Sequence, residues 1–221
     1  MTNNIGDRPT LLACKTTLCM KAVINCLVLL FFSHQLVAQP DSADRQFIHS
    51  QIRKYQRHGT IYYADRPLEG VLKLHVKELS KPVIKSIIGF HSTDSIVLTA
   101  AERRFLIRQL KRSLTTALND NLFPISKRIA VDDISAFVSA RNRKIIDSLR
   151  AMGAAARDSF FISNSIHEAF FFTMPIYIRD RSIFLHFFMW NTISGGAVNL
   201  SFYRKENDKW VKWIEVSGGD F

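Results

Sequence analysis

Residues 183–190, Ile183-Phe-Leu-His-Phe-Phe-Met-Trp190, are apolar at every position except His186. A strand with one solvent-facing side alternates apolar and polar residues, whereas a strand covered on both sides is apolar throughout. We therefore predict that this segment is a central strand of a sheet with packed layers on both faces.

The segments around this run predict an antiparallel meander. Its four strands are Glu168–Ile178, Ser182–Trp190, Ala197–Arg204 and Lys209–Val216. The connections at 179–181, 192–196 and 206–208 are short and contain turn-forming residues. Pro175 cannot donate a backbone hydrogen bond, so the first strand must be an edge strand or contain a bulge.

The chain before residue 160 predicts mainly helices. One helix is expected over residues 40–58, a second over 99–118 and a third from Asp132 or Asp133. Thr99-Ala-Ala-Glu102 matches a capping box, in which hydroxyl and carboxylate each bind a free backbone N–H. Val71–Lys77 partly alternates and predicts a half-exposed strand, and Ile61–Gly70 predicts a loop or a short edge strand.

Helices that precede a sheet in the chain are typical of an α+β domain. We predict N-terminal helices packed on a C-terminal four-stranded antiparallel meander. All of residues 39–221 are assigned to this one domain.

Residues 1–38 match a secretory signal peptide. Lys15 and Lys21 precede a run of eleven residues, Ala22–Phe32, that is apolar except for Asn25, and the small residue Ala38 suits signal peptidase. Met20 is an alternative translation start. A membrane-spanning helix needs about 20 apolar residues, so the other interpretation, an uncleaved anchor, is disfavoured. The sequence predicts export to the periplasm or the extracellular space.

Export would leave a basic chain without cysteine. Cys14, Cys19 and Cys26 all lie in the predicted signal peptide, so the remainder cannot form a disulfide. Of the chain's net charge of +11, about +9 remains in residues 39–221. Outside the cytoplasm such a charge favours acidic polysaccharide, surface polymer or lipid head groups as partners. An ordinary soluble basic protein would have the same composition.

The sequence contains no strong catalytic or metal-binding motif. His167-Glu168 lacks the second histidine of a zinc-protease helix, and adjacent strand residues face opposite ways. His186 is interpreted as a hydrogen-bonded core or interface histidine. We expect no cofactor and no metal, and the alternative function is a hydrolase that uses His167 or His186 with a carboxylate.

The predicted helix 99–118 has a basic face. Its candidate anion-binding residues recur at helical spacing and are Arg104, Arg108, Lys111 and Arg112. They could hold an anionic polymer or a lipid surface, or be only the solvated face of an amphipathic helix. Because aromatic residues for base stacking are not interleaved among them, nucleic acid is not expected as a partner.

The C-terminal strands supply a candidate ligand or partner surface. Its residues are Tyr177, Tyr203, Trp210 and Trp213. Strand alternation places Trp210 and Trp213 on opposite faces, so at least one of the two indoles should reach a surface. Core packing would explain the others.

Six short segments carry a resemblance to a known group of proteins. They are Phe172-Thr-Met-Pro-Ile-Tyr177, Ser194-Gly-Gly196, Leu200-Ser-Phe-Tyr203, Lys205-Glu-Asn-Asp-Lys-Trp210, Thr99-Ala-Ala-Glu102 and Asn121-Leu-Phe-Pro124. The first four segments, in chain order, resemble the C-terminal half of a group of uncharacterised small exported proteins of Bacteroidota-type bacteria, and the last two resemble its helical half, so that the likeness covers residues 95–215. That group has cysteines in the turn where residues 190–196 have none, so its disulfide does not carry over. The resemblance implies export and an α+β fold rather than an activity.

Together these features predict an exported, non-enzymatic binding or structural module. A cell-envelope polymer or protein is the expected kind of partner.

Overall fold

The structure, a computed structural model, describes residues 41–56, 59–87, 93–153, 167–192 and 195–220. The predicted signal peptide lies outside these residues. The described α-helices are α1 (Ser42–Tyr55), α2 (Glu69–Val76), α3 (Ala100–Ser113) and α4 (Ile134–Ala151). The described strands are β1 (Ile61–Ala64), β2 (Val83–Lys85), β3 (Ser95–Val97), β4 (Ser126–Ile129), β5 (His167–Phe172), β6 (Ile176–Ile178), β7 (Ile183–Thr192), β8 (Gly195–Glu206) and β9 (Lys209–Asp220).

Strand β7, which contains the apolar run, lies inside a seven-stranded mixed sheet. The strand order is β4-β1-β5-β7-β8-β9, and β6 also pairs with β7. The pairs β5–β7, β6–β7, β7–β8 and β8–β9 are antiparallel. Strand β1 is parallel to both of its neighbours, β4 and β5. Strands β2 and β3 form a separate antiparallel pair. The chain is therefore α+β, as predicted.

The predicted four-stranded meander is wrong as a description of this sheet. Its first strand is two strands, β5 and β6, separated at Pro175, which has no N–H for the ladder. The sheet also continues past β5 through β1 and β4. Their parallel register pairs Ile61 with Ser126, positions too far apart in sequence to leave a local pattern.

The predicted strand at Val71–Lys77 is also wrong, because these residues belong mostly to helix α2. Leu72 is fully buried, whereas Leu74, two residues later, is 64% exposed. Two residues on the same face of a strand would be buried together, so the apolar spacing in fact follows the helical period. Glu69 and Lys73 form an ion pair at 2.5 Å across one helical turn.

The helices cover both faces of the large sheet. Alternate residues of β7 point to opposite sides, so Phe184 and Phe188 pack with α1, whereas Leu185 and Phe187 pack with the layer of α2, α3 and α4. From Ser42 onward the chain forms one compact unit. The prediction that β7 is covered on both faces is confirmed.

Helix α3 begins at the predicted capping box. The hydroxyl of Thr99 accepts a hydrogen bond from the Glu102 N–H at 3.1 Å, and the Glu102 carboxylate accepts one from the Thr99 N–H at 2.7 Å. The same carboxylate accepts a bond from Nε of Arg179 in the β6–β7 turn at 2.8 Å. Chiefly because of Arg179, the pKa of Glu102 is lowered to about 2. The cap thus also joins the helix to the sheet.

Candidate functional site

Two of the four predicted aromatic surface residues, Tyr177 and Trp210, meet in one groove. We call it the aromatic groove, and its volume is about 890 Å³. Three elements line it: helix α1, the β6–β7 turn and the β8–β9 hairpin. The lining side chains are Ala43, Gln46, Phe47, Ser50, Gln51, Lys54, Tyr177, Asp180, Arg181, Ser182, Lys205, Asp208, Lys209 and Trp210.

Core packing fixes the two aromatic rings of this groove. The Trp210 indole packs edge-on against Phe184 at a centroid distance of 4.6 Å, and Tyr177 packs against the same ring at 5.4 Å. Tyr177 and Trp210 are 5.9 Å apart. The Tyr177 hydroxyl donates to the Asp44 carboxylate, and burial together with this bond raises the pKa of Tyr177. Both rings therefore reach the groove in set orientations.

The rim of the aromatic groove is polar and carries an excess of positive charge. Its cationic side chains are Lys54, Arg181, Lys205 and Lys209, and its acidic ones are Asp180 and Asp208. The Arg181 guanidinium lies 4.1 Å from the centre of the Tyr177 ring. The amides of Gln46 and Gln51 add neutral donors and acceptors. The groove can therefore bind a flat, hydrogen-bonding ligand with negative charge.

Two turns with left-handed backbone form one side of this groove. Asn207 and Asp208 both have positive φ, as a two-residue hairpin requires. Arg179, Asp180 and Arg181 also have positive φ, between 52° and 62°. These turns direct side chains of both hairpins toward α1.

The other two predicted aromatic residues lie elsewhere. Tyr203 is only 5% exposed, with its ring stacked on Phe184 at 5.0 Å and edge-on to Phe47 at 4.9 Å, so it belongs to the core. Trp213 packs on the opposite side of the sheet, with the Arg204 guanidinium 4.8 Å from its ring. The predicted separation of Trp210 and Trp213 onto opposite faces agrees with this placement.

The four predicted anion-binding residues are all exposed on helix α3: Arg104, Arg108, Lys111 and Arg112. Among the residues that the structure describes, none of the four forms an ion pair with a carboxylate. They lie opposite the buried Leu106 and Leu110, which face the core. Phe105, 39% exposed, lies on the same outer face.

His186 is fully buried in an apolar environment, and no ion pair or hydrogen bond joins its ring to a carboxylate among the described residues. Its ring packs against Phe47 at 5.4 Å and Phe188 at 6.0 Å. Neither ring nitrogen forms a hydrogen bond of normal geometry with the described residues. His186 is therefore a core histidine, as predicted, but the predicted hydrogen bond is corrected. Burial lowers the pKa of His186 to about 3, and the Thr173 backbone acts in the opposite direction. The ring is therefore neutral at physiological pH.

His167, the other histidine of the hydrolase interpretation, begins strand β5. Its side chain and that of Glu168 lie outside what the structure describes.

One histidine pair was missed by the sequence analysis. His75 Nδ1 lies 2.6 Å from the Ser217 hydroxyl and joins α2 to β9. The two residues are 142 positions apart, so no spacing signal could have found them. Among the described residues, the His75 ring forms a side-chain hydrogen bond with Ser217 and none with a carboxylate, whereas a catalytic triad needs a carboxylate on the second ring nitrogen. We interpret the pair as a tie between helix and sheet.

The described part of the chain contains no group of histidine, cysteine or acidic side chains placed to hold a metal ion. No described helix is long and apolar enough to cross a bilayer. Comparison with protein-family models, with curated proteins and with solved structures finds no match to this chain.

Proposed function

We propose that this protein is an exported, non-enzymatic binding module that holds an acidic saccharide segment of the cell envelope in its aromatic groove. The observation that carries the proposal is that Tyr177 and Trp210 line the same groove as lysine and arginine side chains from α1, the β6–β7 turn and the β8–β9 hairpin. Export itself is inferred from the signal-like residues 1–38.

The chemistry of the groove favours a saccharide over other ligands. Sugar rings present apolar C–H faces and polar edges, and aromatic side chains that are fixed at a wet surface suit such faces. Amide and hydroxyl groups at the rim can bind sugar hydroxyls. The excess of lysine and arginine favours sugars that carry carboxylate or phosphate, which form charge-assisted hydrogen bonds.

The hydrolase alternative finds less support. A general base needs a polar partner and access to substrate, whereas His186 lies dry among aromatic rings. A glycosidase needs two carboxylates in one cleft, one of them with a raised pKa. The two acids among the described lining residues of the aromatic groove, Asp180 and Asp208, lie on exposed turns rather than in a closed cleft.

The proposal is tested with isothermal titration calorimetry of the purified protein against two oligosaccharides of equal length. One consists of uronic acids and the other of neutral sugars. We expect the acidic oligosaccharide to bind and the neutral one to bind at least tenfold more weakly. The substitution Trp210→Ala should weaken acidic binding about tenfold, because it removes a stacking surface worth about 1–1.5 kcal/mol.

Trp213→Ala is the matched control. It removes the same side chain from the same strand, but on the other face of the sheet, and should leave saccharide affinity unchanged. Thermal melts of both variants show whether each one remains folded. Equal losses of affinity in both variants, or no binding of either oligosaccharide, would contradict the proposal.

A further inference from the structure

A second groove lies on the opposite side of the sheet, between α2 and α3. We call it the helical groove, and its volume is about 720 Å³. Leu72 lies at its base, and Val76, Ile107 and Leu114 form its apolar walls. These three wall residues are only partly buried, so the groove presents apolar surface to solvent.

Cations border this apolar surface. Lys73, Lys77 and Lys111 line the helical groove, and Glu69 is the one acidic residue among its described lining residues. Glu69 is already paired with Lys73, and that contact lowers the pKa of the Glu69 carboxyl. Within the part of the chain that the structure describes, Lys77 and Lys111 have no carboxylate partner. The groove therefore has two lysines available for an anion.

The basic face of α3 continues this charge outward. Around the helix axis, Lys111 lies between the groove-facing Ile107 and Leu114 and the outward-facing Arg104 and Arg108. An apolar trough with a cationic rim next to a cationic surface is complementary to an amphiphile with a negative head group.

We propose that the helical groove binds the acyl chain of an anionic phospholipid, with its phosphate at Lys77 and Lys111. Neighbouring head groups of the bilayer then face Arg104, Arg108 and Arg112. A soluble polyanion would use the cations but leave the apolar walls exposed to water, and a neutral lipid would leave the lysines unpaired. The site shares no residue with the aromatic groove, so this inference stands independently of the saccharide proposal.

The experiment measures cosedimentation of the protein with vesicles of phosphatidylcholine alone and of phosphatidylcholine with phosphatidylglycerol. We expect binding to the anionic vesicles and little to the neutral ones. Each basic residue near an anionic surface contributes about 1 kcal/mol. The double substitution Lys77→Gln/Lys111→Gln should therefore lower the partition coefficient at least tenfold.

Two further variants separate the groove from general charge. Lys127→Gln/Lys144→Gln removes the same charge from exposed positions on β4 and α4 and should lower binding less than threefold. Ile107→Gln keeps every charge but makes an apolar wall polar. It should weaken binding of monomeric lysophosphatidylglycerol, measured by calorimetry, at least fivefold. Circular dichroism checks that each variant is folded.

Soluble glycerol phosphate distinguishes a lipid from a phosphate ligand, and it should bind far more weakly than the lysolipid. The proposal is overturned if glycerol phosphate binds as tightly as the lysolipid and Ile107→Gln changes neither. Equal vesicle binding by the two lysine double variants would overturn it as well.

Discussion

At the scale of single residues, His186 brings an ionisable ring into a strand that is otherwise apolar. Its pKa is about 3 in the folded protein and near 6.5 in an exposed chain. Between these values the unfolded state binds a proton that the folded state does not. The free energy of unfolding therefore falls as the pH decreases from about 6.5 to about 3, at a rate of up to about 1.4 kcal/mol per pH unit.

We predict that His186→Phe removes this dependence between pH 6.5 and 5. Urea unfolding at pH 7, 6 and 5 should give a clear slope for the parent protein and a much smaller one for the variant. His49→Gln is the control, since the His49 ring is only partly buried and remains in contact with solvent. If the His186→Phe variant does not fold, NMR titration of the His186 ring in the parent protein measures its pKa directly. A normal histidine pKa would contradict the prediction.

Two of the four aromatic residues that the sequence predicts for a surface site, Tyr177 and Trp210, line the aromatic groove. Tyr203 and Trp210 share a face of the sheet, and alternation can predict that shared face. The alternation of strand residues does not show where a helix crosses that face of the sheet. Phe47 of α1 covers Tyr203, whereas Trp210 lies beside α1 and lines the groove. Exposure at these two positions was therefore decided by the position of α1, which no strand pattern contains.

At the scale of elements, the beginning of α3 was predicted closely because a capping box is a local signal. Thr99, Glu102 and the bonds between them lie within four residues, so the sequence contains the whole motif. The ion pair from Arg179 to Glu102 joins residues 77 positions apart and could not be predicted in the same way. Helix α2 shows the opposite case, since its three alternating apolar residues imitate a strand over a short length.

We predict that Thr99→Ala lowers the free energy of unfolding by about 1 kcal/mol, because the N–H of Glu102 loses its acceptor. Chemical denaturation at neutral pH measures the change. Thr116→Ala, at an exposed position beyond the end of the same helix, should change stability by less than about 0.5 kcal/mol. Similar effects of the two substitutions would show that the box contributes little.

At the scale of the whole molecule, the α+β class could be predicted and the sheet topology could not. The apolar run of β7 indicated two covering layers, and the structure places α1 on one face and α2, α3 and α4 on the other. The parallel insertion of β1 between β4 and β5 depends on contacts between residues 63 and 170. Such a long-range pairing is chosen by the packing of the complete chain, not by the four residues of β1.

Export is the prediction on which the envelope ligand of the aromatic groove depends. A signal peptide holds its charged end in the cytoplasm while a short apolar run enters the translocon, and cleavage follows a small residue. We predict that protein recovered from its native host begins at or close to Gln39. Because Cys14, Cys19 and Cys26 all precede that point, processed protein should not react with a thiol-specific maleimide under denaturing conditions. Intact mass measures the cleavage, and maleimide labelling measures the loss of the cysteines. The substitution Ala38→Phe places a bulky ring at the cleavage position, so the uncleaved protein should have the larger mass and should react with maleimide. Recovery of cytosolic protein that still contains Leu27–Phe32 would contradict export and leave the aromatic groove without access to an envelope polymer.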